Sequence, residues 1–366
     1  MILTNTILEP FNLAGMTLKN RVGLAPMTRI SATEEGLVTD IMAAYYRSFA
    51  EGDFGLIITE GTYIDQKHSQ AYQYQPGIAY EEQAQAWQSV VDAVHTAGAK
   101  IVMQLQHAGP LSQGNRFVNE SIAPSAIQPT GEQLAFYLGE GAFPIPREIT
   151  KEEIVEVKQH FVDAALRAKS VGFDGIELHG ANGYLLDAFL TPYTNERHDE
   201  YGGTTENRVR FLVETIQDVK KAVGENFVVG IRISQAKVNN FGYKWPAKEQ
   251  DAQIIFTSLG QAGADYIHIT EYQAWQPAFD TGSGSDSLVA LAKKYSQLPI
   301  IANGQLDQPE RASEMITNGH ADLITLGKGA LANHDWVKKM TNGEALKEFN
   351  PAQVLYPIAN IKDFEL

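Results

Sequence analysis

The sequence predicts an α/β fold, a (β/α)8 TIM barrel with extended loops at its C-terminal face, and three regularities carry that expectation. A glycine-centred phrase recurs between helical and strand-like stretches, eight apolar runs alternate with eight helical patterns, and polar residues stand at or near the end of every run. The phrase reads Glu51-Gly52-Asp53-Phe54-Gly55-Leu56-Ile57 and Ala97-Gly98-Ala99-Lys100-Ile101. It returns as Val171-Gly172-Phe173-Asp174-Gly175-Ile176, as Ala262-Gly263-Ala264-Asp265-Tyr266-Ile267 and as Gly319-His320-Ala321-Asp322-Leu323-Ile324. In each, a helical pattern stops at glycine, which takes the left-handed conformation past a helix end without steric cost. A strand then begins within about four residues, an ordinary αβ loop.

Taken in order, the strands are expected at Val22–Met27, Leu56–Thr59, Ile101–Gln106, Gly175–His179, Val228–Ile233, Tyr266–Thr270, Pro299–Asn303 and Leu323–Gly327. Several are nearly continuous in Val, Ile and Leu, as parallel strands covered on both faces should be. Helices are expected near 39–51, 81–97, 151–171, 205–223, 248–262, 285–296, 308–318 and 330–340. Thr150-Lys151-Glu152-Glu153 has the form of a capping box at the start of the third. Two excursions, 107–149 and 180–204, interrupt the alternation. Both leave the C-terminal end of a strand, where a barrel binds ligands, so they are expected to act as lids on a single domain spanning 1–366.

Bulk properties narrow the class. A chain of 366 residues with 44% hydrophobic and 20% charged residues has enough apolar material for one large core. A formal charge of −15 repels phosphodiester backbones, and no basic run offsets it, so no nucleic-acid partner is expected. The absence of cysteine excludes disulfides, Fe–S clusters, thiolate zinc sites and a cysteine nucleophile or acid. Met1 to Pro10 lacks the pattern of a signal peptide, and no apolar run approaches the ~20 residues that span a bilayer. A cytoplasmic protein without a membrane partner is expected, and the pattern is compatible with a monomer or a homo-oligomer.

The strand ends carry Thr28, Glu60-Gly61, Gln104, His179, Arg232, Glu271, Asn303-Gly304 and Gly327-Lys328. Polar groups where a barrel builds its active site, with apolar strands behind them, point to catalysis. Gly304 and Gly327 let the backbone approach an anion, and Lys328 adds a positive charge at the next helix start, which suits a phosphate. His179 and Asn182, three residues apart on a turn, can aim donors at one oxygen and polarise a carbonyl. Tyr184 carries a hydroxyl proton with a reference pKa near ~10, suited to protonating a carbanion-like carbon. These residues alone leave open a flavin-free phosphate-binding aldolase or isomerase barrel.

Longer runs make the pattern recognisable. His179-Gly180-Ala181-Asn182-Gly183-Tyr184-Leu185-Leu186 is followed by Phe189-Leu190-Thr191-Pro192, Asn195-Glu196-Arg197 and Tyr201-Gly202-Gly203-Thr204-Thr205-Glu206-Asn207-Arg208. With Leu18-Lys19-Asn20-Arg21, Ala25-Pro26-Met27-Thr28-Arg29, Thr59-Glu60-Gly61, Gln104-Leu105-Gln106-His107 and Leu326-Gly327-Lys328-Gly329, these runs span nearly the whole chain. The chain strongly resembles the Old Yellow Enzyme family of FMN-dependent ene-reductases.

The resemblance implies tightly but non-covalently bound FMN and NADPH or NADH as reductant. It implies an activated alkene such as an enone or quinone as substrate. Ala25, Pro26, Met27 and Gly61 would line the isoalloxazine, with Thr28 near O4, Gln104 on the pyrimidine edge and Arg232 by N1 and C2=O. The backbone at Asn303, Gly304, Gly327 and Lys328 would take the phosphate. His179 and Asn182 would hold the substrate oxygen while hydride passes from N5 to the β-carbon, and Tyr184 would protonate the α-carbon. Arg197, Glu206, Asn207 and Arg208 read as a network pinning the second excursion, and His107 as either substrate-facing or structural.

The chain departs from the family at Lys328, where arginine is usual; lysine keeps the charge and loses the bidentate fork, which implies a weaker hold on phosphate. Asn333-His334 replaces Asn-Pro. Thr28, where one branch has cysteine, and Asn182, where some members have a second histidine, align the chain with the branch that includes the yeast enzymes.

Overall fold

Stretches rich in Val, Ile and Leu favour extended backbone and need cover on both faces, and a closed parallel ring of strands inside a ring of helices supplies it. The computed structural model describes residues 5–279 and 285–366, so the first four residues of the Met1 to Pro10 segment lie outside the described part. Eight strands form the barrel: β1 Val22–Leu24, β2 Leu56–Ile58, β3 Lys100–Gln106, β4 Gly175–Asn182, β5 Val228–Lys237, β6 Tyr266–Thr270, β7 Ile300–Asn303 and β8 Leu323–Leu326. Each pairs in parallel with its sequence neighbours, and β8 pairs with β1, so the ring closes as a (β/α)8 barrel.

The outer ring comprises α1 Asp40–Glu51, α2 Gln88–Thr96, α3 Lys151–Ser170, α4 Thr205–Val223, α5 Glu249–Gln261, α6 Leu288–Ser296, α7 Pro309–Thr317 and α8 Trp336–Asn342. The capping box holds: Thr150 Oγ1 accepts the Glu153 N–H, and the Glu153 carboxylate accepts the Thr150 N–H at 2.8 Å. The helix expected at 81–97 divides into Glu81–Ala86 and α2. The division falls at Trp87, which is fully buried and whose indole donates to the Gly77 carbonyl at 3.1 Å. The pattern at 330–340 likewise divides, into Lys328–Ala332 and α8.

Two strands outrun their expected ends. β4 continues to Asn182 and β5 to Lys237, with Lys237 opposite Asn182 after a register shift. The first three residues of the 180–204 excursion are therefore strand, and a short helix, Leu185–Leu190, follows. The cause is mutual: each strand gives the other's added residues a ladder to pair with.

An antiparallel hairpin, Phe11–Leu13 with Met16–Leu18, has no counterpart among the expected elements. Its Leu13, Met16 and Leu18 pack with inward Leu56, Ile58, Val102, Val228, Tyr266, Ile301 and Leu323 as one cluster. Among the described residues no helix is long and apolar enough to cross a membrane.

The tail returns to the barrel's other end. The buried Arg29 guanidinium holds both Glu365 oxygens at 2.6 Å and donates to the carbonyls of Ala359 and Asn360. Ala359 N–H in turn donates to the Phe136 carbonyl in the first excursion. Removing one partner of a buried ion pair strands the other charge, typically at about 3–5 kcal/mol. Glu365→Ala should therefore lower unfolding free energy by about that amount in urea denaturation; a loss under about 1 kcal/mol, the range of exposed pairs, would show the clamp to be incidental.

Candidate active site

Parallel register decides which strand-end side chains meet. Arg232 on β5 pairs with His179 on β4 and with His268 on β6, and Gln104 on β3 lies opposite Glu177 on β4. Arg232 Nη2 donates to Asn303 Oδ1 at 2.9 Å, and Thr270 Oγ1 donates to the same oxygen. Of the predicted residues, His179 and Arg232 are thus register neighbours and Arg232 is bonded to Asn303 in one polar layer, while Gln104 bonds Glu177 just below it. Burial pulls Arg232 down to about 10, with nearby Glu177 opposing, so it stays a cation. Its Nε is buried and finds no hydrogen-bond partner among the described residues.

The chain leaving β1 forms one wall of this mouth. Ala25 N–H donates to the Leu326 carbonyl, Pro26 O accepts from Arg232, and Pro26, Met27 and Thr28 are half-buried. Gly61 sits where a Cβ would meet Gln106 Oε1 at 1.6 Å, so a larger residue there would have to displace the Gln106 amide. Asn303, Gly304, Gly327 and Lys328 line a cleft of about 790 Å³ together with Thr325 and Gly329. Gly304 has φ +140°, and a Cβ there would meet the Glu271 carbonyl at 2.1 Å. Exposed Lys328 opens the short helix that Gly327 caps. A buried guanidinium with an unpaired N–H and a glycine-lined cleft with a cation fit the ring and phosphate of FMN.

Asn182 and Gly183 turn the chain sharply, with φ of +65° and +93°, a conformation asparagine tolerates better than most residues. Asn182 N–H donates to Ser234 Oγ at 2.9 Å, and Asp187 receives the Gly183 N–H and pairs with Lys237 at 2.6 Å. Both charged side chains are almost fully buried, so the turn is braced from beneath. It brings the rings of Tyr184 and His179 to 4.9 Å. His179 is pushed down to about 3, by burial first and then by Arg232, so its imidazole is neutral and one ring nitrogen carries a proton to donate. Its Nδ1 is buried and without a hydrogen-bond partner among the described residues. Burial raises the Tyr184 phenol, while a 2.5 Å contact with the Tyr72 hydroxyl opposes the rise.

Tyr72 escaped the sequence reading, since nothing local links it to a residue 112 positions away. It joins Ile30, Ala71, Ala108, Leu111, Phe143 and Tyr184 in an apolar cluster over the mouth, with Tyr137 packed on its edge. Glu177 also went unread, though strand alternation puts it on the same face as His179. His107 is structural: its Nδ1 accepts the Gly109 N–H, and Nε2 faces Asp65 at 3.8 Å. Arg197 reaches Asp199 and the carbonyls of Pro124 and Ile149, Asn207 reaches Gly202, and Arg208 reaches Leu190, so three of the four network residues pin the excursion. Glu206 is exposed in the first turn of α4.

Residues 6–347 match the family model of the NADH:flavin oxidoreductase / NADH oxidase family. A probable flavin mononucleotide-dependent alkene reductase of Leishmania infantum is 34% identical over 95% of this chain and 93% of that protein. An NADH oxidase of Thermoanaerobacter brockii is 34% identical over 90% of this chain, which spans only 50% of that protein's length. The solved structure of the old yellow enzyme homologue from Zymomonas mobilis superposes with a TM-score of 0.84, at 32% identity and 94% coverage of each chain.

The depressed His179 pKa has a measurable consequence. Between about 3 and the ordinary 6.5 the folded protein binds fewer protons here than the unfolded chain, so His179 stays neutral while free imidazoles titrate. Its ring-nitrogen NMR shifts should remain constant from about pH 8 to 5; a midpoint near 6.5 would contradict the buried environment.

Proposed function

The chain belongs to the NADH:flavin oxidoreductase / NADH oxidase family and is an FMN-dependent, nicotinamide-linked oxidoreductase of the Old Yellow Enzyme kind, and we propose that it reduces activated carbon–carbon double bonds of α,β-unsaturated carbonyls such as enones and quinones. The observation that carries this reading is the convergence of a neutral, partly unpaired imidazole, a turn asparagine and a buried phenol beside the Arg232 layer. Family membership displaces the flavin-free aldolase or isomerase reading. We take the barrel with its lids as one FMN-binding unit.

In this reading Arg232, Gln104, Thr28, Gly61 and the segment Ala25-Pro26-Met27 hold the ring, while Asn303, Gly304, Gly327 and Lys328 hold the phosphate. FMN held there would supply the hydride chemistry that links oxidation of the nicotinamide to reduction of the alkene at its β-carbon. His179 and Asn182 grip the carbonyl oxygen, and their donors strengthen as negative charge gathers on it. A neutral histidine suits this role, because an imidazolium would demand a counter-ion in a site already holding Arg232. Tyr184 delivers its proton to the α-carbon. The phenol's raised pKa keeps it protonated until then, and the Tyr72 hydroxyl is placed to support the oxyanion left behind. The apolar cluster around Tyr72, Leu111 and Phe143 keeps water from competing for that proton.

The direct experiment is a visible spectrum of purified protein, then anaerobic reduction with NADH or NADPH and reoxidation by cyclohexenone. Yellow protein that bleaches and recovers is expected; colourless protein that takes up no added FMN would sink the proposal. Tyr184→Phe should slow reoxidation by the enone about 10²–10⁴-fold, the usual worth of a positioned general acid, while reduction by the nicotinamide survives. Equal loss in both half-reactions would remove the proton-donor role.

A further inference from the structure

A second polar layer lies beneath the one just described, and apart from Gln104 the proposed reaction makes no use of it. Its centre is Glu177 on β4, a carboxylate with no exposed surface. Oε1 accepts from Gln104 Nε2 at 2.8 Å, and Oε2 accepts from the Tyr266 hydroxyl at 3.0 Å and lies 2.9 Å from His268 Nδ1. His268 Nε2 continues to Thr325 Oγ1 at 2.8 Å, so the chain of bonds crosses from β3 to β8.

The register explains how these groups meet. Glu177 pairs with Gln104 on one side and with Gly230 on the other, and Gly230 pairs with Tyr266. A Cβ on Gly230 would meet the Tyr266 ring at 2.1 Å, so the bare glycine lets the phenol lie across β5 and reach the carboxylate. Burial alone would push the Glu177 carboxyl up, but His268, Arg232 and the Gln104 amide outweigh it and hold the group below its ordinary range. Burial also depresses His268, while the neighbouring Glu177 opposes that shift, and its ring bridges Glu177 through Nδ1 and Thr325 through Nε2. The Glu177 carboxylate lies close enough beneath Arg232 to favour its cation.

We propose that Glu177 is a positioning residue for FMN, one that fixes the Gln104 amide and sets the reduction potential of the bound flavin by offsetting the charge of Arg232. A carboxylate can only accept, so it commits an N–H of Gln104 and settles which way the amide faces. Electron uptake adds negative charge to the ring beside Arg232. A buried carboxylate one layer below weakens that cation's pull, since charges interact strongly where water is excluded. The layer thus holds the potential down and favours handing the hydride on. This inference rests on the FMN reading and goes beyond it, because no ring contact is assigned to Glu177 itself.

The test is spectroelectrochemistry of the purified holoprotein, a readout independent of alkene turnover. Glu177→Gln should favour flavin reduction by at least tenfold, a positive shift of about 30 mV for a two-electron couple. Should that variant not fold, Tyr266→Phe and His268→Leu each remove one donor and leave the carboxylate, and the potential should move in the negative direction. An unchanged potential in folded Glu177→Gln, or one that moves negative, overturns the proposal while leaving FMN binding and ene-reduction standing. Wild-type protein that holds no FMN overturns both.

Discussion

A guanidinium almost wholly removed from water, Arg232, is the constraint around which the barrel mouth is organised. Burying a cation costs several kcal/mol unless charge and hydrogen bonds compensate, and the surrounding strands supply both. Asn303 and the Pro26 carbonyl accept from it, and Glu177 provides the counter-charge from the layer below. The same positive field, added to burial, keeps His179 neutral and so makes it a donor rather than a second cation. The cation also suits the site to a cofactor that gains negative charge during turnover.

The work is divided between rigid and irregular parts of the chain. Gln104, Glu177, His179 and Arg232 stand on paired strands, where the ladder fixes their spacing to a fraction of an ångström. The hydroxyl partner of Tyr184 comes instead from the loop after β2, and Tyr137 from the first excursion packs on Tyr72 and donates to the Thr28 carbonyl. The Arg29–Glu365 clamp ties the tail to the segment that leaves β1, and Ala359 ties it to the first excursion. The first excursion, the tail and the end of the first strand are therefore joined by hydrogen bonds, although none of them lies in the barrel wall.

Much of the fold was legible in order of residues. Apolar runs of four to six residues between helical patterns located all eight barrel strands, because burial on both faces demands nearly unbroken Val, Ile and Leu. The hairpin before β1 stayed hidden because its strands are three residues long and make sense only against the barrel's open end. Helix division at Trp87 and the lengthening of β4 and β5 were equally invisible, since each depends on a partner distant in sequence.

For the site, residue order alone determined the strand-end groups, the turn that carries Asn182 and the glycines at Gly304 and Gly327, because each follows from local periodicity or from a backbone angle few residues adopt. Only tertiary structure decided that Tyr72 meets Tyr184, that Glu177 underlies Gln104 and Arg232, and that His179 is neutral. Those facts are set by which strands become neighbours and by how completely water is excluded, and neither quantity is carried by any stretch of sequence taken by itself.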